Sequence, residues 1–371
     1  MANANLSAAK RAKNDEFYTR LQDIEAELGH YRPHFKDKTV FLNCDDPTWS
    51  AFWRHFHKLF GVYGLKKLIT THYEGDGSAS YAMVYEGGDD ADASVGERIE
   101  LAGNGDFRSD ECIEFLKESD IVVTNPPFSL FREYVAQLME YDKKFLIIGN
   151  VNAVTYKEIF PLIKNNRIWA GFSFNKTVEF IMPDSYELRG KAYVDTNGKK
   201  HGFVPGVCWF TNLDIKKRHE DLFLSATYYK KDGSVPQASL ERWPQYDNYD
   251  AIEVSKVKDI PVDYAGVMGV PITFLDKYNP EQFEILGITK TWFGGASKMY
   301  GVQEQVDKNG KTSNVTKLND GPVLKVDTPP IGKTYYIVDG MYYIQAYARI
   351  CIRARHPHPA GVPVTFDEYD E

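Results

Sequence analysis

Between residues 36 and 170, short runs of consecutive apolar residues alternate with amphipathic stretches. Thr39 to Leu42, Lys67 to Thr71, Ile121 to Thr124 and Lys144 to Ile148 have the length and continuity of strands buried on both faces. Ser50 to Phe60, Ser109 to Lys117, Leu130 to Tyr141 and Lys157 to Asn165 place apolar residues at helical spacing. This alternation predicts an α/β fold with a doubly wound, mostly parallel sheet. Beyond about residue 171, Thr177 to Met182, Phe203 to Thr211, Leu222 to Ala226 and Tyr335 to Ile352 read as strands between Gly, Pro, Asn and Asp turns. Two regions are expected: residues 1–183, an N-terminal arm with the α/β domain, and 184–371, which supplies remaining sheet strands and a β-rich, aromatic-rich part.

The 371 residues are enough for two domains, and 43% hydrophobic with 14% aromatic content can build large cores. No apolar run approaches a membrane span, and Met1 to Glu16 lacks the apolar core of a signal peptide, so a cytoplasmic protein with no membrane partner is expected. Cys44, Cys112, Cys208 and Cys351 have no paired spacing, which argues against both a disulfide framework and a zinc site. The net charge of -8 argues against indiscriminate nucleic-acid binding, because phosphate contacts need Lys or Arg. A local basic cleft is compatible with it, since Asp89, Asp90, Asp92, Asp367, Glu368, Asp370 and Glu371 concentrate some of the negative charge.

Candidate chemistry centres on Asp120 to Phe128, where a buried strand ends in Asn125-Pro126-Pro127-Phe128. A residue before proline is pushed out of the helical region, and two successive prolines fix φ and remove two N–H donors. The turn is therefore rich in acceptors: the Asn125 side-chain oxygen and the Pro126 carbonyl suit one exocyclic NH2, and Phe128 suits the ring that bears it. A proline-rich loop following a core strand is the plain alternative. Ligands of open parallel sheets bind beyond the carboxyl ends of the strands, which is where this turn falls.

Other strand ends add candidates for a cofactor pocket. The first strand runs into Asn43-Cys44-Asp45-Asp46-Pro47, where Asp45 or Asp46 suits an ammonium group or caps the next helix. Glu74, after the second strand, suits ribose hydroxyls. Asp106 and Phe107 suit an adenine amino group and ring, or simply a turn before a helix. His55 and His57 are two apart on a predicted helix and His356 and His358 lie in a Pro-rich tail; neither pair makes a metal site, and no metal is expected.

Asn14 to Thr19 (Asn-Asp-Glu-Phe-Tyr-Thr) with Asp23-Ile24-Glu25, the Asn43 to Pro47 stretch, Asn125 to Phe128, and Met268 to Phe274 (Met-Gly-Val-Pro-Ile-Thr-Phe) together resemble the EcoRI-type adenine-N6 DNA methyltransferases over most of the chain. The resemblance implies a Rossmann-like S-adenosylmethionine-dependent methyltransferase sheet followed by a C-terminal target-recognition region. It places Phe17, Tyr18 and Thr19 over the methionine part of the cofactor, Asp45 or Asp46 at its amino group, Glu74 at its ribose, and Asp106 with Phe107 at its adenine. Residues 43 to 53 depart from most methyltransferases in holding no glycine and carrying Trp49 and Trp53, although the EcoRI-type family is similar in this respect.

The expected reaction is direct methyl transfer to N6 of an adenine flipped out of double-stranded DNA, with Asn125, Pro126, Pro127 and Phe128 at the catalytic centre. Arg349, Arg353 and Arg355 share one face of a strand, and suit DNA or a solvated sheet face equally. The stretch Trp292 to Lys298 resembles a mobile element that enters a groove, and Asp307 to Thr312 reads as a surface loop. Lys10, Arg11 and Lys13 form a small basic arm. A monomer is expected, together with a cognate restriction endonuclease that acts on the same site without stable binding. The same Asn-Pro-Pro-aromatic turn also serves RNA adenine, cytosine N4 and protein glutamine amides. A methyltransferase-like DNA-binding protein that has lost its cofactor is the non-enzymatic rival.

Overall fold

The computed structural model describes residues 18–75, 77–88, 92–182, 187–188 and 190–362. Phe17, the basic arm Lys10, Arg11 and Lys13, and Asp89, Asp90, Asp367, Glu368, Asp370 and Glu371 lie outside the described residues, and Tyr18 is described by its backbone alone. The chain divides into two compact units, residues 1–153 with 167–215, and residues 154–166 with 216–371.

The first unit is built on an eight-stranded sheet. Its strands are β1 (Thr39–Asn43), β2 (Lys67–Thr71), β3 (Tyr81–Tyr85), β4 (Glu97–Glu100), β5 (Ile121–Thr124), β6 (Lys144–Asn150), β7 (Trp169–Ala170) and β8 (Val207–Thr211). They lie in the order β4-β3-β2-β1-β5-β6-β8-β7. The central four are parallel, and the two strands on either margin pair antiparallel. The expectation of a mostly parallel sheet thus holds for its centre alone. Among the described residues the links 72–80 and 86–96 contain no crossover helix, and β3 and β4 pair antiparallel as hairpins instead.

Around β1 the chain first steps to β2 on one side and later to β5 on the other, so the strand order reverses between β1 and β5. Helices α1 (Leu21–Leu28), α2 (Ala51–Lys58), α3 (Asp110–Glu118) and α4 (Phe131–Glu140) accompany the sheet. Ser50 and Ser109 set the starts of α2 and α3 by accepting hydrogen bonds from first-turn amides, as serine N-caps do. Phe52, Trp53 and Phe56 of α2 are buried in one core with Val40 and Leu42 of β1 and Trp209 of β8. A small antiparallel sheet sets Tyr18–Thr19 beside Glu179–Met182, with Thr19 opposite Phe180.

The second unit holds a four-stranded sheet (Ile252–Glu253, Met268–Pro271, Arg349–Ala354, Phe283–Ile288) and a five-stranded one (Thr312–Val315, Gln303–Val306, Tyr335–Val338, Met341–Gln345, Val323–Val326). Gly269 lies against Tyr246, whose hydroxyl would stand 2.4 Å from any Cβ there. The helix expected at Lys157 to Asn165 is shorter, Phe160–Lys164, and falls in this unit. The strand expected at Leu222 to Ala226 does not form. The backbone of Leu222 is satisfied by the Gln282 side chain at 2.7 and 2.8 Å, which takes the place of a ladder, and Ala226 makes only an isolated bridge to Pro261. The run Tyr335 to Ile352 is three strands, the first two joined at Asp339-Gly340, both with positive φ as a tight hairpin turn requires.

Candidate functional site

Three parallel strand ends are tied together at the reversal point. Asn43 closes β1, and its side-chain oxygen accepts from the Thr71 hydroxyl at the end of β2, at 2.9 Å. Its carbonyl accepts from the Thr124 hydroxyl at the end of β5. Asn125 follows Thr124 directly, so the acceptor-rich turn and the first-strand loop are held at one sheet edge. The Asn125 side-chain oxygen and Pro126 are buried, and Phe128 is half-buried against the core. The Pro127 carbonyl accepts from the Leu130 amide at 2.9 Å, which closes a 3-10 turn leading into α4.

The first-strand loop makes its sharp bend without glycine. Cys44 takes φ 64°, the left-handed conformation that glycine usually supplies, so the missing glycine marks a different residue in the same kind of bend. Asp45 follows, 7% exposed, with its amide donating to the Thr71 carbonyl at 3.1 Å and its carboxyl accepting from the Ser50 hydroxyl. Burial, reinforced by the neighbouring charge of Asp46, pushes the Asp45 carboxyl up to about 7, while the Ser50 hydrogen bond opposes the rise. Because the unfolded chain would release this proton near 3.8, the native state holds more protons than the unfolded state between about 4 and 7. Stability contributed at Asp45 is therefore full at low pH and is lost as pH rises through that window. Asp45→Asn should flatten that part of the profile, as read by denaturant unfolding across pH 4 to 8 (about four pH units).

Asp46 accepts from the Thr48 amide at 2.8 Å and from the Tyr81 hydroxyl at 3.1 Å, so it combines a turn role with a link to β3. Glu74, 39% exposed on its side chain, lies beyond β2. Its backbone is knitted to the next segment, with its amide donating to the Asn104 carbonyl at 2.8 Å. Gly105 closes this contact: at φ +76° a Cβ there would sit 1.8 Å from the His72 carbonyl oxygen, which no side chain can occupy.

Not every candidate is presented openly. The Asp106 carboxylate is held by Arg108 at 2.7 and 2.9 Å and accepts the Arg108 amide at 2.9 Å, and this pairing keeps its carboxyl below the usual range. Phe107 is buried edge-on against Tyr134, with ring centroids 5.0 Å apart. Ser109 rather than Asp106 caps α3. Sequence reasoning missed Asn43, Thr71, His72 and Tyr81. His72 stands two residues before Glu74 and was within reach of a closer reading, whereas Tyr81 belongs to an unrecognised strand.

In the second unit, Arg349 is committed to Glu253, with Nε at 3.1 and 3.2 Å and Nη2 at 2.6 Å from the carboxylate oxygens. This corrects the expectation of three equivalent arginines on one open face: Arg353 and Arg355 are exposed, the latter donating to the Pro280 carbonyl at 2.7 Å. Lys298 is paired with Asp247 and sits over the Tyr300 ring at 5.0 Å. Trp292 donates to the Thr155 carbonyl at 3.2 Å and packs edge-on to Phe160, so it is half-anchored, while Asp307 to Thr312 is a tight hairpin turn around Gly310. His55 bonds Tyr63 and His57 bonds the Val95 carbonyl, at 2.8 and 3.0 Å. Among the described residues no group of three or more His, Cys, Asp or Glu is placed to hold a metal ion. Among those residues, too, no helix is long and apolar enough to cross a membrane.

The sequence has relatives among known proteins. The chain is 52% identical over 301 residues to the type II methyltransferase M.EcoRI of Escherichia coli, covering 78% of this chain and 90% of that protein. It is 43% identical over 281 residues to M.MpnI of Mycoplasma pneumoniae (75% and 83% of the two chains), and 38% identical over 336 residues to M.MgeORF184P of Mycoplasma genitalium (90% and 96%), both also type II methyltransferases. No solved structure matches the chain. The family model described as adenine-specific methyltransferase EcoRI matches residues 5–354, and the chain therefore belongs to this family of adenine-specific DNA methyltransferases.

Proposed function

We propose that this enzyme transfers the methyl group of S-adenosylmethionine to N6 of a single adenine turned out of double-stranded DNA, at one short sequence. In this reading the first unit is a Rossmann-like methyltransferase domain and the β-rich C-terminal region recognises the target. The observation that carries it is the tie through Asn43, which holds the ends of β1, β2 and β5 together with Asn125 one residue beyond.

The residues present fit the cofactor. Asp46 offers a carboxylate for its ammonium group with the buried Asp45 carboxyl beside it as a further acceptor, Glu74 offers a carboxylate for ribose hydroxyls, and Gly105 brings the 103–107 segment close without a side chain. Thr19, with a buried hydroxyl, is assigned to the methionine end together with Phe17 and Tyr18, and Asp106 and Phe107 to the adenine end. When bound, the sulfonium supplies an already activated methyl group. What remains for the protein is positioning. The Asn125 and Pro126 carbonyl oxygens accept the two N6 hydrogens and turn the nitrogen lone pair out of ring conjugation, while Phe128 stacks on the base and offsets part of its unstacking cost of a few kcal/mol. A neutral amide does this without a buried charge, and the positively charged N6 formed as the methyl arrives is acidic enough to lose its proton to water, so no strong base is required.

Arg353, Arg355, Trp292 and Lys298 are assigned to DNA, the last after release from Asp247; Arg349 supports its strand. The enzyme acts as a monomer in the cytoplasm and shares its site with a cognate endonuclease. Titration calorimetry with S-adenosylmethionine tests the cofactor assignment. Wild type should bind, and Glu74→Ala, which removes the half-exposed carboxylate and leaves the backbone in place, should bind about tenfold more weakly with an unchanged circular dichroism spectrum. Absence of binding to wild type would contradict the assignment.

A further inference from the structure

We propose that His72 is a positioning residue that couples the two carboxylates of the cofactor pocket and holds Asp46 and Glu74 in the orientation in which the cofactor meets them. The inference rests on the assignment of Asp46 and Glu74 to that pocket. Its own footing is a chain of contacts along one sheet edge. The Tyr81 hydroxyl donates to Asp46 Oδ1 at 3.1 Å; Asp46 Oδ2 lies 3.4 Å from His72 Nδ1; and His72 Nε2 lies 3.0 Å from Glu74 Oε1. The imidazole is thus held at both nitrogens by carboxylates on different segments, one following β1 and one following β2.

Such a bridge fixes the orientation of both carboxylates, leaving Glu74 Oε2 to face ribose hydroxyls. Without it the two acidic side chains, on different segments, are free to leave the positions the cofactor requires.

Among the described residues, Tyr81 on β3 has its ring 5.7 Å from the imidazole, and Arg98 on β4 lies 3.6 Å over the Tyr81 ring.

The test is calorimetry of S-adenosylmethionine binding to the full chain. His72→Asn should bind roughly tenfold more weakly than wild type, since the hydrogen bonds that orient the carboxylates are lost. His72→Gln, which reaches one carboxylate, should recover part of that affinity. Equal affinity in wild type and both variants, or no recovery by His72→Gln over His72→Asn, would overturn the inference. A wild type that binds no cofactor would overturn the pocket assignment and this inference with it.

Discussion

Replacing Asn125 with alanine should lower methyl transfer to DNA by at least about 10²–10³-fold while leaving cofactor affinity and thermal stability close to wild type. The side chain stands just beyond the Thr124 to Asn43 hydrogen bond that closes the strand edge, so its removal does not open the sheet. What it removes is an acceptor needed when the nitrogen lone pair turns towards the methyl group, an interaction stronger in the transition state than in the ground state. The loss should therefore fall on kcat more than on KM, in single-turnover assays with saturating DNA. Asn125→Asp should not rescue: a carboxylate in this buried turn either carries an uncompensated charge or takes up a proton and points a donor at the target nitrogen.

Arg349→Ala should cost about 3–5 kcal/mol in stability, without acting through DNA contact. Glu253, 3% exposed, receives the Arg349 guanidinium on both oxygens, and also hydrogen bonds from the Tyr246 and Ser255 hydroxyls. Deleting the arginine leaves a buried carboxylate without its counter-charge. Glu253→Ala should be comparably damaging, and exchange of both partners for apolar residues much less so, because the isolated buried charge is what costs. Arg353→Ala, on the same strand but exposed, should leave the melting temperature nearly unchanged and weaken DNA binding with a reduced salt dependence. Thermal melts of the three single variants beside DNA titrations at two salt concentrations would separate support from contact.

These two cases show where the sequence was legible. The turn at Asn125 was readable because its signals are local: a continuous apolar strand, a residue held extended by proline, and an amphipathic helix immediately after. The central parallel strands followed from equally local patterns, whereas helix capping, offered to Asp45 or Asp46 and to the Asp106 turn, is supplied by Ser50 and Ser109. Arg349 was not readable, since alternation along a strand gives its face but not that Glu253, distant in sequence, occupies that face. The hairpin of β3 and β4 was missed because Glu97–Glu100 is mostly polar and exposed and gives no apolar signal. The run Leu222 to Ala226 misled in the opposite sense, with an apolar texture but backbone groups taken by the Gln282 side chain. The glycine-free loop departs in sequence from most methyltransferases, and what the sequence could not show is that Cys44 adopts the conformation that glycine would take there. His72 escaped notice because its meaning lies in the two carboxylates on either side of it, and only one of them is its sequence neighbour.

The most direct measurement is transfer of labelled methyl from S-adenosylmethionine to unmethylated genomic DNA, followed by nucleoside mass spectrometry and long-read mapping, with Asn125→Ala in parallel. N6-methyladenine confined to one short motif, and lost in the variant, is the predicted result. Label on cytosine, label on adenine that persists in the variant, or no transfer by a protein that binds the cofactor would contradict the account.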